Sequence, residues 1–124
     1  MFRVLFLILI VMSSAVFAQT EENNKAQEPP KAIKSDEFQK ATNGYVKMIM
    51  DSFFVELNNN PAAQGYIINY GTNKEVAKRE RQLRNSIIFR HYDASRITFV
   101  RGEKVSKLKT VFWIVPRGAE PPSP

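Results

Sequence analysis

Between Asn43 and Asn58, Tyr45, Ile49, Phe53 and Leu57 lie four apart, with Val46, Met50 and Phe54 beside them. That spacing predicts a helix with one wide apolar face. Asn58-Asn59-Asn60-Pro61 ends it, because the residue before a proline avoids the helical region. Gly65 to Tyr70 is short and rich in aromatic and β-branched residues, which predicts a strand. Gly71-Thr72-Asn73 then turns, and either Thr72 or Asn73 can cap a second helix from about Lys74 to Arg90. Its apolar stripe reads Val76, Leu83, Ile87 and Ile88. His91 to Ser95 makes an exit loop, Arg96 to Arg101 a second strand, and Lys107 to Val115 a third, halted by Pro116.

The strand–helix–strand piece from Gly65 to Arg101 predicts a right-handed crossover between two parallel strands. Val111 to Val115 is apolar on both faces, as in a central strand, whereas Arg96 to Arg101 is flanked by charge, as at an edge. The last strand is therefore expected beside Gly65 to Tyr70. The fold class expected is α+β: a two-layer sandwich of two helices on a mixed three-stranded sheet.

The ends read differently. Arg3, then nine consecutive apolar residues from Val4 to Met12, then Ser13 to Ala18 have the three parts of a secretory signal peptide, with cleavage expected before Gln19. The apolar run is shorter than the roughly 20 residues that span a bilayer. Residues 19–35 are polar, with Pro29 and Pro30, and read as a flexible linker. Residues 118–124 form a proline-rich tail, which leaves 36–117 as the folding unit. The expected location is the periplasm or the exterior, with no transmembrane anchor after cleavage.

Zero cysteines exclude a disulfide scaffold, a thiol nucleophile and a Cys-based zinc site. A single histidine, His91, makes a His-rich metal site or a Ser-His-Asp triad hard to build. His91, Tyr92 and Asp93 are loop neighbours and diverge, and Asp51 and Glu56 are five apart on a helix and point different ways. Five scattered glycines supply no phosphate loop. Neither an enzyme, a cofactor nor a metal is expected.

Charge is concentrated instead. From Lys74 to Lys109 there are 11 basic and four acidic residues, a surplus of seven that exceeds the whole chain's net +6. Lys74, Lys78 and Arg81 share one helical face, with Arg79 and Arg84 at its margins. That face is either solvated, with Glu75 and Glu80 as local partners, or a site for carboxylate or phosphate on an envelope polymer or lipid. An exported protein seldom meets nucleic acid, so that partner is not expected. Trp113 lies on the strand face opposite Phe112 and Ile114, and is either covered or part of a protein-docking surface.

The order of elements over about Asn59 to Val115 resembles the OmpA-like peptidoglycan-binding domain. Tyr66-Ile67-Ile68-Asn69 is similar to that family's strand, Thr72 matches its threonine, and Ala94-Ser95-Arg96-Ile97 its loop into an Arg-Ile strand. Asn73 stands where the family has an aspartate, Arg79 falls at its arginine, and Glu80 replaces its alanine. The resemblance implies a non-catalytic binding module for peptidoglycan or another anionic envelope component, with Asn73 and Arg79 at the ligand-holding positions. Together with the basic face, Asn73, Lys78, Arg79, Arg81 and Arg84 are the candidate ligand-binding residues. The alternative is a protein-interaction module whose partner docks on the sheet face or its edge.

Overall fold

The structure, a computed structural model, describes residues 26–124; the expected signal peptide and residues 19–25 of the expected linker lie outside them. Four strands and two long helices follow in the order β1 (Ile33–Phe38), α1 (Asn43–Asn59), β2 (Gln64–Tyr70), α2 (Asn73–Arg90), β3 (Ile97–Arg101) and β4 (Lys109–Val115), with a short 3-10 turn at Ala94–Arg96. The fold is α+β, with a mixed sheet in the order β1-β4-β2-β3. β4 runs antiparallel to both neighbours, and β2 pairs with β3 in parallel. The expected parallel pair, the central last strand and the edge position of β3 are therefore all present.

The three-stranded sheet is corrected to four. Ile33–Ser35, expected as the end of a linker, open a strand that pairs with β4 from Ile33↔Ile114 to Phe38↔Thr110, with an irregularity between Lys34 and Asp36. The folded unit therefore starts at Ile33 rather than Asp36. Because β1 and β2 are both antiparallel to β4, they are parallel to each other, and α1 carries the chain across β4. The helices also run the same way: Gln82 bonds Asn43 early in α1, and Arg90 bonds Asp51 a turn or two later.

Thr72, not Asn73, caps α2. Its hydroxyl accepts from the Glu75 N–H while the Glu75 carboxylate accepts from the Thr72 N–H, satisfying two donors that a helix start leaves free. Thr42 caps α1 through the Tyr45 N–H. At the far end of α1, the Arg96 guanidinium donates to the carbonyls of Leu57, Asn60 and Ala63 at 2.9, 3.0 and 2.9 Å. A cation there satisfies free carbonyls and meets the negative end of the helix dipole.

Both helices cover one sheet face. Phe53 and Phe54 of α1, Leu83 and Ile87 of α2, and Ile67, Phe112 and Ile114 of the sheet form one buried cluster. Phe112 is its aromatic centre, with ring centroids 4.8 Å from Phe53 and 5.7 Å from Phe38. Ile88, expected in the α2 stripe, points outward and is 70% exposed; Arg79 and Ser86 take places in the buried face instead.

Gly65 lies under α1 where a side chain does not fit: an added Cβ would sit 2.8 Å from Ile97 and 2.9 Å from Phe53. Gly65→Ala is expected to destabilise the fold by about 1–3 kcal/mol through overpacking. Gly44, early in α1 with nothing near it, should accept alanine with a gain of roughly 0.5 kcal/mol. Urea denaturation of the two variants beside the parent protein checks both signs.

Candidate functional site

α2 has few apolar residues, so its orientation is set by a short row: Val76, Leu83 and Ile87. Arg79 lies three residues after Val76 and four before Leu83, so the same geometry carries it inward. Its side of the helix meets the sheet, and the residue is only 3% exposed. The guanidinium donates to the Thr110 hydroxyl at 2.7 Å and the Gln39 carbonyl at 2.8 Å, and lies over the Phe38 ring. Thr110 in turn donates to the Asn69 side-chain oxygen at 2.7 Å. Burial pushes the Arg79 pKa down from its ordinary value. No carboxylate among the described residues pairs with it.

Three other basic residues of α2 face away from the sheet. Lys74, Lys78 and Arg81 are exposed and form no ion pair among the described residues. They line a groove of about 670 Å³ between the two helices, with Asn43 and Lys47 of α1 on its other wall and Phe89 of α2 further along. No carboxylate lines that groove. A second cleft of about 810 Å³ adjoins it, sharing Asn43, Lys78 and Gln82, and adds Lys40, Lys107 and the edge of Arg79. Its one acid, Glu75, is already engaged by Thr72. Cations drawn from four separate places in the chain thus converge around the first turns of α1 and α2. Converging like charges raise the local potential and attract anions.

The five residues singled out from sequence are divided by the fold. Lys78 and Arg81 share the groove. Arg84 lies over the Phe99 ring, 4.3 Å from its centroid, and lines neither cleft. Asn73 is exposed at the first position of α2 and also lines neither. Arg79 reaches the second cleft but its guanidinium is committed to Thr110 and Gln39. Lys40, Lys47 and Lys107 were missed, because only the fold brings the β1–α1 link, α1 and the β3–β4 loop together. The inward turn of Arg79 did have a sequence signal, its position within the Val76–Leu83 row.

The remaining candidates serve local structure. His91 takes the left-handed conformation that closes α2, its N–H bonded to the Ile87 and Ile88 carbonyls. The Asp93 carboxylate accepts from the Ser95 N–H and hydroxyl, which lowers its pKa. Tyr92 stacks on Phe54 and donates to Asp51; burial, then that bond, raise its pKa. Trp113 is half-buried on the sheet face away from the helices, beside the buried Val111 and Val115, and its Nε1 has no partner among the described residues. No described helix is long and apolar enough to cross a membrane.

These features define a two-layer α+β domain carrying a basic inter-helical groove. No family model, curated protein or solved structure matches the chain.

Since Arg79 is buried against neutral oxygens, its variants should report on folding before they report on binding. Thr110→Val, which leaves a guanidinium N–H unpaired, is expected to cost about 1–3 kcal/mol. Arg79→Met, which removes the charge with similar volume, should stay within roughly 1 kcal/mol of the parent or exceed it. Arg79→Glu, which buries an anion against a carbonyl oxygen, should lose about 3 kcal/mol or more. Chemical denaturation of the three ranks them.

Proposed function

We propose that this protein is an exported, non-catalytic binding protein of the OmpA-like type that attaches to an anionic component of the cell envelope, peptidoglycan being the first candidate. The observation that carries the reading is the groove between α1 and α2, where Lys47, Lys74, Lys78 and Arg81 meet without a lining carboxylate. Cations held together without counterions favour a polyanion over water and salt, because a bound anion relieves their mutual repulsion. The strand–helix–strand unit with parallel β2 and β3 supports the family resemblance. The contacts differ from those the resemblance implies: Asn73 lines neither cleft and Arg79 is sequestered, so lysines of the groove do the binding. Carboxylates of cell-wall stem peptides match that chemistry.

A second reading is favoured by one observation of its own. β1 and β3 leave both edges of the sheet without a neighbouring strand among the described residues, and an open edge can accept a partner's strand. In that case the basic groove is a solvated surface.

Sedimentation with purified peptidoglycan sacculi separates the two. The chain from Gln19 onward should pellet with sacculi at low salt and be released as salt shortens the range of charge attraction. Lys74→Glu, Lys78→Glu and Arg81→Glu combined should weaken binding by on the order of a hundredfold, since each cation near an anionic surface contributes roughly 1 kcal/mol. These positions are exposed, so circular dichroism and thermal unfolding should remain those of the parent. Equal pelleting of parent and triple variant would sink the groove as the binding site.

A further inference from the structure

Four large apolar side chains stand exposed on the outer surface of the helical layer. Met48 and Val55 of α1 are 56% and 59% exposed, and Ile88 and Phe89 of α2 are 70% and 63% exposed. None of them is accounted for by the core. Met48 and Val55 are seven residues apart, two turns along one face of α1. Ile88 and Phe89 straddle the side of α2 that faces away from Val76, Leu83 and Ile87. Both helices run in the same direction across one sheet face, so their outward sides form a single broad surface.

The cations flank this apolar surface. Phe89 is itself a wall of the basic groove, and the Lys47 ammonium lies 4.5 Å from its ring centroid. Lys74, Lys78 and Arg81 continue the groove toward the start of α2, with no ion pair among the described residues. Asp51, a half-buried acid of α1 that borders the surface, is paired with Arg90 at 3.0 Å. A purely polyanionic partner would use the cations and leave Ile88, Phe89 and Met48 in water. A purely apolar partner would leave the cations unpaired. The two together match the interface of an anionic bilayer, where headgroup phosphates lie over the acyl boundary.

We infer that the outer face of the α1–α2 layer docks flat on anionic phospholipid membranes, with Ile88, Phe89 and Met48 entering the acyl boundary and the groove cations meeting headgroup phosphates. The inference rests on the envelope-binding reading for its electrostatic half and adds a defined partner through its apolar half. Helix axes parallel to the bilayer suit this mode, which needs no membrane-crossing segment.

The test uses the chain from Gln19 onward, which keeps every described residue and omits the apolar leader that would itself bind lipid. Co-sedimentation is measured with phosphatidylcholine vesicles and with mixed phosphatidylcholine–phosphatidylglycerol vesicles, alongside sacculi. Binding to the mixed vesicles and not to pure phosphatidylcholine is expected. Met48→Ser with Ile88→Ser, neither of which lines the groove, should weaken it by roughly tenfold or more, as expected for removing buried apolar side chains, while leaving sacculus binding unchanged. Val105→Ser, an exposed apolar position in the β3–β4 loop, should change neither. Sacculus binding without vesicle binding overturns this inference and leaves the envelope reading intact. Failure to bind either overturns both. Vesicle binding indifferent to the Met48–Ile88 variant, whose fold is verified by circular dichroism, also overturns it.

Discussion

Taking the Arg79 guanidinium out of water costs several kcal/mol even after relaxation, and no described carboxylate offsets it. The compensation is spread over neutral groups: a threonine hydroxyl from β4, a carbonyl from the link after β1, and a phenylalanine ring from β1. Thr110 passes the contact on to Asn69 of β2. One side chain of α2 thereby fixes where three strands lie beneath it. If α2 turned on its axis or slid along the sheet, a charge would be stranded in the core. Cationic side chains on the other side of the helix owe their common direction to this anchor.

The helical layer and the sheet layer present very different outsides. Over the helices, lysines, an arginine and exposed apolar side chains are interspersed. Over the far face of the sheet, Ile68, Val111 and Val115 are buried without any described helix above them. Half-buried Tyr66, Tyr70 and Trp113 stand on the same side by the alternation of the strands, and Lys109 lies across the Tyr70 ring. Large rings can shield a face from water that two helices would otherwise have to cover. The chemistry suited to partners is thus concentrated on the opposite, helical side.

Most of the element order was legible because the segments are strongly periodic: the α1 stripe repeats over four turns, and β4 is apolar on both faces. β1 was not. Ile33-Lys-Ser-Asp-Glu-Phe38 carries four polar residues in six, of kinds that strands disfavour or tolerate mainly at edges. It is a strand because β4 offers it a row of backbone partners, which is a property of β4 rather than of β1. The site was legible in part for a similar reason. The spacing of Lys74, Lys78 and Arg81 states a helical face, but a charge on α2 was taken to face water, and Arg79 does not. Lys47 joins the groove, and Lys40 and Lys107 the adjoining cleft, only through tertiary arrangement, which periodicity does not encode.

The strand order also dictates when this sheet can exist. β4 is the last of the four to appear along the chain, yet β1 and β2 meet only through it. Until Val115 is available, β1 has no strand to join, β2 has only β3, and the Phe112 centre of the core is missing. Contacts linking Ile33 to Ile114 and Phe38 to Thr110 close loops of most of the domain's length, and such closures are slow to form and late to stabilise. A chain emerging from its N-terminus, whether from a ribosome or through a membrane pore, therefore stays largely unfinished until its final strand is free. It then assembles in a single cooperative step around the strand that arrives last.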